Sequence, residues 1–278
     1  NFPKLALYIL KSEWCSYKLV NQINKYGNNC LIDACKYSEK SALYILKSKW
    51  CSQEMVDQVN EYGYNCLINA CRYFPKLAKY ILESKWCNYK LVNQVDRFGN
   101  NCLIYACKHK NNPKLAKYIL KSKWCSQVLV NQTNKGGVNC LLEASDYSLE
   151  LAKYIIKSEW CTQELIEHKN NSGDNCILGS CNYFNLELLK YILKSKWCTQ
   201  DMVNQIASNG INCLMYACIH NTKIVKYILK SKWCNKELVN QVDKYGYNCL
   251  DYAKRYNPEL VDYILQSGYY EENKLKNN

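Results

Sequence analysis

The 278-residue chain contains no apolar run approaching the ~18–20 residues that a membrane-spanning helix requires. Nothing in it resembles a secretory leader. It has only three histidines and no Cys-x-x-Cys pair, so the usual ingredients of a zinc site are missing. His109, His168 and His220 share no chemical constellation, and neither a glycine-rich phosphate loop nor a nucleophile elbow occurs. These gaps argue against a membrane protein, a metalloprotein and an enzyme. No cofactor, metal or small-molecule substrate is expected.

What the chain does have is regularity. Gly27, Gly63, Gly99, Gly137, Gly173, Gly210 and Gly246 follow one another in steps of 36, 36, 38, 36, 37 and 36 residues. Trp14, Trp50, Trp86, Trp124, Trp160, Trp197 and Trp233 keep the same beat. A fixed period in the range of about 20–50 residues marks a solenoid, in which each repeat packs on its neighbours and the core grows lengthwise. The reading is a single array over 1–278. It comprises a partial first repeat (1–26), six repeats (27–62, 63–98, 99–136, 137–172, 173–209 and 210–245) and a capping repeat with a polar tail (246–278). The chain opens inside a repeat, at Phe2-Pro3-Lys4-Leu5-Ala6, which predicts further sequence before it. The third repeat is longer through His109-Lys110-Asn111-Asn112-Pro113, read as its inter-helix loop.

The 19 cysteines obey the period too. Seven follow the Trp, seven follow an Asn, and five follow the helix alanine or its serine stand-in. Free cysteine behaves as a small buried hydrophobe, so these read as core filler in a reducing intracellular compartment, the cytoplasm included.

One repeat can be read physically from residues 65 to 99. Asn65 is a good N-cap for a short first helix, Cys66–Tyr73, whose Ala70 and Cys71 let a neighbour approach. Pro75 suits a first helical turn. The second helix is read over Lys76–Trp86, with Leu77, Ala78, Ile81 and Leu82 on its apolar face. After Trp86-Cys87, the spacing of Leu91, Val92 and Val95 predicts a short third helix capped by Asn88. Gly99 turns the chain into the next repeat with a positive φ. The fifth repeat places Gly179 inside its first helix, at a cost of about 1 kcal/mol relative to Ala.

These residues resemble the ankyrin repeat across the whole chain. That family's Gly-x-Thr-Pro-Leu-His-x-Ala-Ala phrase appears as Gly63-Tyr64-Asn65-Cys66-Leu67-Ile68-Asn69-Ala70-Cys71. The resemblance implies an all-α, ankyrin-type helical solenoid of seven to eight repeats. Two departures stand out. Asn-Cys-Leu-Ile replaces Thr-Pro-Leu-His, which predicts that the quartet's inter-repeat hydrogen bonds give way to apolar packing. Roughly four extra residues before each glycine predict a helical turn in place of the family's β-hairpin finger, or at its base. The Lys/Asn/Tyr/Ile-rich phrasing also resembles the ankyrin arrays of giant DNA viruses of amoebae, which would place the protein in a host cytoplasm.

Positions that never vary between repeats report stacking, so a partner is better sought at those that do. One such column follows the glycine (Asn28, Tyr64, Asn100, Val138, Asp174, Ile211, Tyr247). A second lies within the first helix (Asp33, Asn69, Tyr105, Glu143, Gly179, Tyr216, Tyr252), and a third is Lys36, Arg72, Lys108, Asp146, Asn182, Ile219 and Arg255. By resemblance these line the concave face with which ankyrin arrays bind proteins, and Tyr and Arg are favoured interface anchors. The chosen partner-binding residues are Tyr64, Asn69, Arg72, Asn100, Tyr105, Lys108, Tyr216 and Tyr247.

Two aromatic columns read as inter-repeat packing: Tyr44, Tyr80, Tyr118 and their equivalents on the second helix, and Tyr37, Tyr73, His109, Tyr147, Tyr183, His220 and Tyr256 at the end of the first. Lys47, Lys49, Lys85, Lys121, Lys123 and their equivalents are placed in the last turn of the second helix, where the helix dipole favours cations. With a net charge of +13, that stripe supplies the alternative partner, nucleic acid or an acidic assembly. The preferred function is non-catalytic protein–protein interaction, with no membrane partner.

Overall fold

A computed structural model describes residues 8–109, 113–183 and 185–271. The expected opening at residues 1–7, the centre of the longer loop at 110–112 and the tail beyond residue 271 lie outside the described residues.

Each repeat begins with an asparagine that ties two helices together. Asn29, Asn65, Asn101, Asn139, Asn175, Asn212 and Asn248 cap the first helices Cys30–Tyr37, Cys66–Tyr73, Cys102–Cys107, Cys140–Tyr147, Cys176–Asn182, Cys213–His220 and Cys249–Tyr256. The side-chain oxygen accepts a first-turn N–H in every case, which satisfies one of the orphan donors at a helix start. In the six full repeats, the same side chain donates through Nδ2 to a carbonyl of the third helix, at Met55, Leu91, Leu129, Leu165, Met202 and Leu238, over 2.8–3.4 Å. These asparagines are buried, so both halves of the amide are used where an unpaired half would be costly.

The third helices are Tyr17–Val20 in the partial first repeat and Gln53–Asp57, Tyr89–Asn93, Gln127–Asn131, Gln163–Glu167, Gln200–Asn204 and Lys236–Asn240 in the six full ones. Each is capped by a Ser, Asn or Thr side chain. The second helices, Glu39–Lys47, Pro75–Glu83, Lys114–Lys121, Leu149–Lys157, Leu186–Lys194 and Thr222–Leu229, are shorter than their sequence suggests. A serine ends each one. Ser48, Ser84, Ser122, Ser158, Ser195 and Ser231 donate their hydroxyls to the isoleucine carbonyl three residues back, at 2.7–2.8 Å. Lys49, Lys85, Lys123, Lys196 and Lys232 therefore lie in the turn beyond the helix rather than in its last turn.

No strand occurs among the described residues, whose only bridge is the isolated pair Ile206 and Asn212. In place of a hairpin finger, the third helix leads into a tight turn closed by bonds such as Asn60 N–H to Tyr64 O and Gly63 N–H to Asn60 O. Gly63 takes φ 80° there. A Cβ at this position would come within 2.7 Å of the Cα of Asp96 in the next turn, so glycine is required for conformation and for approach.

The chain divides into two compact units, 1–135 and 136–278. Within each, first helices pack on the first helices of adjacent repeats and on their own second helices. The core is built from positions such as Leu67, Ile68, Leu77, Ile81, Leu91 and Val92, all essentially inaccessible. Side chains of this size contribute about 1.5–3 kcal/mol each on burial.

Apolar packing is not the whole of the interface, which corrects the expectation drawn from the lost quartet. Within the units, Trp86, Trp124 and Trp233 donate Nε1–H to Leu46, Leu82 and Leu193 carbonyls of the preceding repeat, at 2.8–3.2 Å. Gln53, Gln163 and Gln200 reach forward to the carbonyls of Trp86, Trp197 and Trp233. Turns are also joined to turns, by Glu61 N–H to Tyr26 O, Arg97 N–H to Tyr62 O and Lys135 N–H to Phe98 O in the first unit, and by three equivalents in the second.

The last repeat replaces its second helix with a 3-10 turn, Pro258–Leu260, and a short helix, Val261–Leu265. The residues just after it, up to Glu271, are held in place. Asn240 clamps the backbone of Tyr269 and Glu271, and Lys236 pairs with Glu271.

Every cysteine is a free thiol and all but Cys30 are buried. Burial pushes the thiols of Cys51, Cys87 and Cys198 up to about 12, which leaves them protonated and poorly nucleophilic.

Candidate functional site

In five of the repeats the turn before the glycine is organised by a side chain three residues upstream. Asn24, Asn60, Asp96, Asn170 and Asp243 accept the backbone N–H groups two and four residues on. This is the local geometry for which Asn and Asp are suited. In the N-terminal unit two of these side chains also reach the first helix, while Asn60 donates to Asn28. Asn24 donates to Asp33, and Asp96 accepts the Tyr105 hydroxyl at 2.5 Å. Asp96 is buried at 4% exposure and Tyr105 at 7%. Burial, reinforced by the hydrogen bonds to Asp96 and Tyr64, holds the Tyr105 hydroxyl well above the usual phenol range.

Above this pair lies a depression of about 510 Å³. Tyr64, Asn100 and Tyr105 line it together with Phe98, and Arg72, Lys108 and His109 complete its rim. The Arg72 guanidinium donates to the Tyr64 hydroxyl at 3.2 Å and lies 5.1 and 5.6 Å from the ring centres of Tyr73 and Tyr105. Lys108 stands 5.5 Å from the Tyr105 ring, within cation–π range. His109 donates from Nε2 to the Cys71 carbonyl at 2.6 Å, since a carbonyl can only accept. A second depression, of about 460 Å³, adjoins the first through Tyr64 and Arg72 and runs past Asn69 to Lys36 and Tyr37.

Five of the chosen residues, Tyr64, Arg72, Asn100, Tyr105 and Lys108, thus meet in one depression, and Asn69 lines the next. Three of these six are buried. Asn69 donates to the Ile32 carbonyl at 3.1 Å, and Asn100 accepts from Asn134 at 3.0 Å. Together with Tyr105 they set the floor of the face, while Tyr64, Arg72 and Lys108 are its reachable edges. Tyr216 and Tyr247 belong to the C-terminal unit. Tyr247 is exposed and lines a depression of about 500 Å³ with Tyr252, Arg255 and Tyr256, of which Tyr216 is not a wall. Tyr216 is half-buried, its hydroxyl raised by burial and then by Asp174.

Sequence reasoning missed Asp96, Phe98 and His109. The signal for Asp96 is an Asp–Tyr pair nine residues apart, which returns as Asp243 and Tyr252, hydrogen-bonded at 2.7 Å.

The two aromatic columns separate. On the second helices Tyr80, Tyr118, Tyr191, Tyr227 and Tyr263 are half-buried beneath lysines of the preceding repeat, at 5.1–5.8 Å. The column at the end of the first helix is not packed away. Tyr37, Tyr73, Tyr147, Tyr183 and Tyr256 are all exposed, whereas His109 is half-buried and bonded to the preceding repeat. Among the described residues, no group of three His, Cys, Asp or Glu is placed to hold a metal ion, and no helix is long and apolar enough to cross a membrane.

Residues 176–276 match the family model for ankyrin repeats, in three copies. Over that stretch the chain carries ankyrin repeats. At the level of fold it is similar to the ankyrin repeat domain of Bcl-3, a member of the IkappaB protein family, at 15% identity over 87% of this chain and 100% of that one, with a TM-score of 0.63. It is similar also to EF0377, an ankyrin repeat protein, at 21% identity over 72% and 96% of the two chains, with a TM-score of 0.55. A third likeness is to a chain in the complex of the Bd0816 predatory endopeptidase from Bdellovibrio bacteriovorus with immunity protein Bd3460, at 18% identity, 72% and 96% coverage and a TM-score of 0.58. No curated protein matches the sequence. Against the ankyrin family's usual period of about 33 residues, this chain's repeats spend their extra residues on the third helix. Ankyrin-repeat folds are in general modules for binding proteins.

Proposed function

We propose that this chain is a non-catalytic protein-interaction module whose partner lies along the face formed by Tyr64, Arg72, Tyr105 and Lys108, the counterpart of the concave surface of ankyrin arrays. The carrying observation is the depression itself, where aromatic side chains and two cations converge on a floor fixed by the Asp96–Tyr105 hydrogen bond. Aromatic residues and arginine held in place by packing are what interface anchors consist of. The neighbouring folds support the reading at the level of class, one of them coming from a protein–protein complex.

The lysine stripe is the basis for the alternative, nucleic acid or an acidic assembly. Its ammonium groups lie over rings, with Lys49, Lys85, Lys123, Lys196 and Lys232 at 4.4–4.6 Å from the following Trp. Part of that charge is engaged within the protein, so the first-helix face is preferred. The protonated, buried thiols suit a reducing intracellular compartment.

The test is selection of a random peptide display library on the purified chain. Selected peptides should lose at least ~10-fold in affinity when Tyr64→Ala and Arg72→Ala are combined, and keep it in Lys90→Ala on the third helix. Peptides that bind the double variant as well as the parent would place the interaction elsewhere and overturn the reading.

A further inference from the structure

The face of the N-terminal unit is marked by cations at a fixed interval. Lys36, Arg72 and Lys108 each stand nine residues after a repeat glycine. The two depressions place all three along one continuous strip, with Tyr64 and Arg72 shared between them. The acids nearby are already engaged: Asp33 accepts from the amides of Asn24 and Asn28, and Asp96 is buried under Tyr105. Among the described residues neither Lys36 nor Arg72 forms a close salt bridge; Lys36 lies over the Tyr37 ring and feels Asp33 through space, and Arg72 is exposed. Adjacent packed helices lie roughly 8–10 Å apart, so one cation recurs at about that step.

Three ligand geometries can be set against this step. A flat β-strand advances about 10 Å in three residues, but its side chains alternate, so the third residue faces the wrong way. An α-helix presents one face again after seven residues, about 10 Å on, yet is about 10–12 Å wide and meets the Tyr64–Arg72 pair standing between the two depressions. A polyproline-II segment turns once every three residues and rises about 3.1 Å per residue, so every third side chain returns to the same face about 9 Å further on. Nucleic acid fits less well. Phosphates follow one another far more densely along a strand, and the equivalent positions of the next two repeats are Asp146 and Asn182.

We propose that the Lys36–Arg72–Lys108 strip binds an extended, polyproline-II-like acidic segment of a protein partner, with a carboxylate at every third residue and one carboxylate to each cation. The guanidinium suits a bidentate carboxylate contact, and the exposed rings of Tyr37 and Tyr73 flank the intervening residues. This inference rests on the protein-binding reading above.

The experiment uses the whole chain and fluorescein-labelled peptides in low salt. The first is three repeats of Glu-Pro-Ser, and the second has the same residues with the three Glu contiguous. A third carries Gln for Glu, a fourth is helical with Glu spaced by seven, and a nine-residue oligothymidylate completes the set. The first peptide should bind at least ~10-fold more tightly than each of the others. Arg72→Gln should bring it down to the level of its contiguous isomer, while Lys90→Gln leaves it unchanged. Equal binding of the two isomers, tighter binding of the helix or the oligonucleotide, or indifference to Arg72→Gln would each overturn the proposal. Library selection keeps the two readings apart: neutral peptides that depend on Tyr64 and Arg72 would retain the interaction face and eliminate the acidic ligand.

Discussion

Nine residues after the glycine, the N-terminal unit carries Lys36, Arg72 and Lys108, whereas the C-terminal unit carries Asp146, Asn182 and Ile219 before returning to Arg255. The surroundings reverse with it. In the first unit, cations stand over aromatic rings and the acids are tied up in hydrogen bonds. In the second, Glu143, Asp146 and Asp174 gather near Tyr147 and Tyr183. Burial, followed by Glu143 and Asp174, pushes the Asp146 carboxyl up to about 7. One backbone plan accommodates both signs with the same caps, turns and core. Stacking therefore does not dictate the sign of this position.

The difference can be tested first at the turn beneath the basic face. Asp96 accepts the Tyr105 hydroxyl and two backbone N–H groups, and losing buried bonds to a charged acceptor is costly. Asp96→Ala should destabilise the chain by about 3 kcal/mol in urea unfolding followed by circular dichroism. In the other unit Ala207 already occupies the equivalent position, and Asn209 accepts the Ile211 N–H instead. Asn209→Ala there should therefore cost no more than about 1 kcal/mol, the worth of one neutral bond at an exposed site. Equal effects at the two sites would dissolve the contrast.

A smaller effect concerns Asp146. Folded, it keeps its proton up to about pH 7, while the unfolded chain releases it near pH 4. Between those values the folded state binds more protons, so stability falls as pH rises. Asp146→Asn should remove that slope, adding about 1 kcal/mol at pH 8 and nothing at pH 4, since solvent contact screens the interaction. Thermal melts at the two pH values decide it. The smallest change is Gly179→Ala beside it. A Cβ there would meet only the Asp146 Oδ1, at 3.6 Å, so the better helix former should gain about 0.5–1 kcal/mol. A loss would show that the acidic face needs the space.

Much of the architecture is legible because it repeats. The Asn caps, the first helix at Cys66–Tyr73, the positive-φ glycines and the extra third helix all follow from local rules that act within a few residues. The end of the second helix is harder to see, because Ser84 and its equivalents stop the helix by bonding a carbonyl, while Lys85-Trp86 continues a helical pattern. The candidate face is half legible. Tyr64, Arg72 and Lys108 emerge as variable positions, and they are the reachable ones. Tyr105 varies for another reason: it answers to Asp96, as Tyr252 does to Asp243. Where the turn carries an amide, at Asn24, Asn60, Asn134 and Asn170, the first helix carries Asp33, Asn69, Glu143 and Gly179 instead. Variation between repeats thus mixes internal compensation with whatever a partner demands, and only the fold separates the two.

The turn-to-turn bonds have a consequence for how the array comes apart. Each links one backbone N–H, such as that of Arg97 or Lys244, to the preceding repeat through a single carbonyl, Tyr62 or Asn209. Each of those amides belongs to one joint and no other. Its exchange with deuterated solvent therefore times the opening of that joint alone, so that six amides, read side by side, would chart from which end each unit frays.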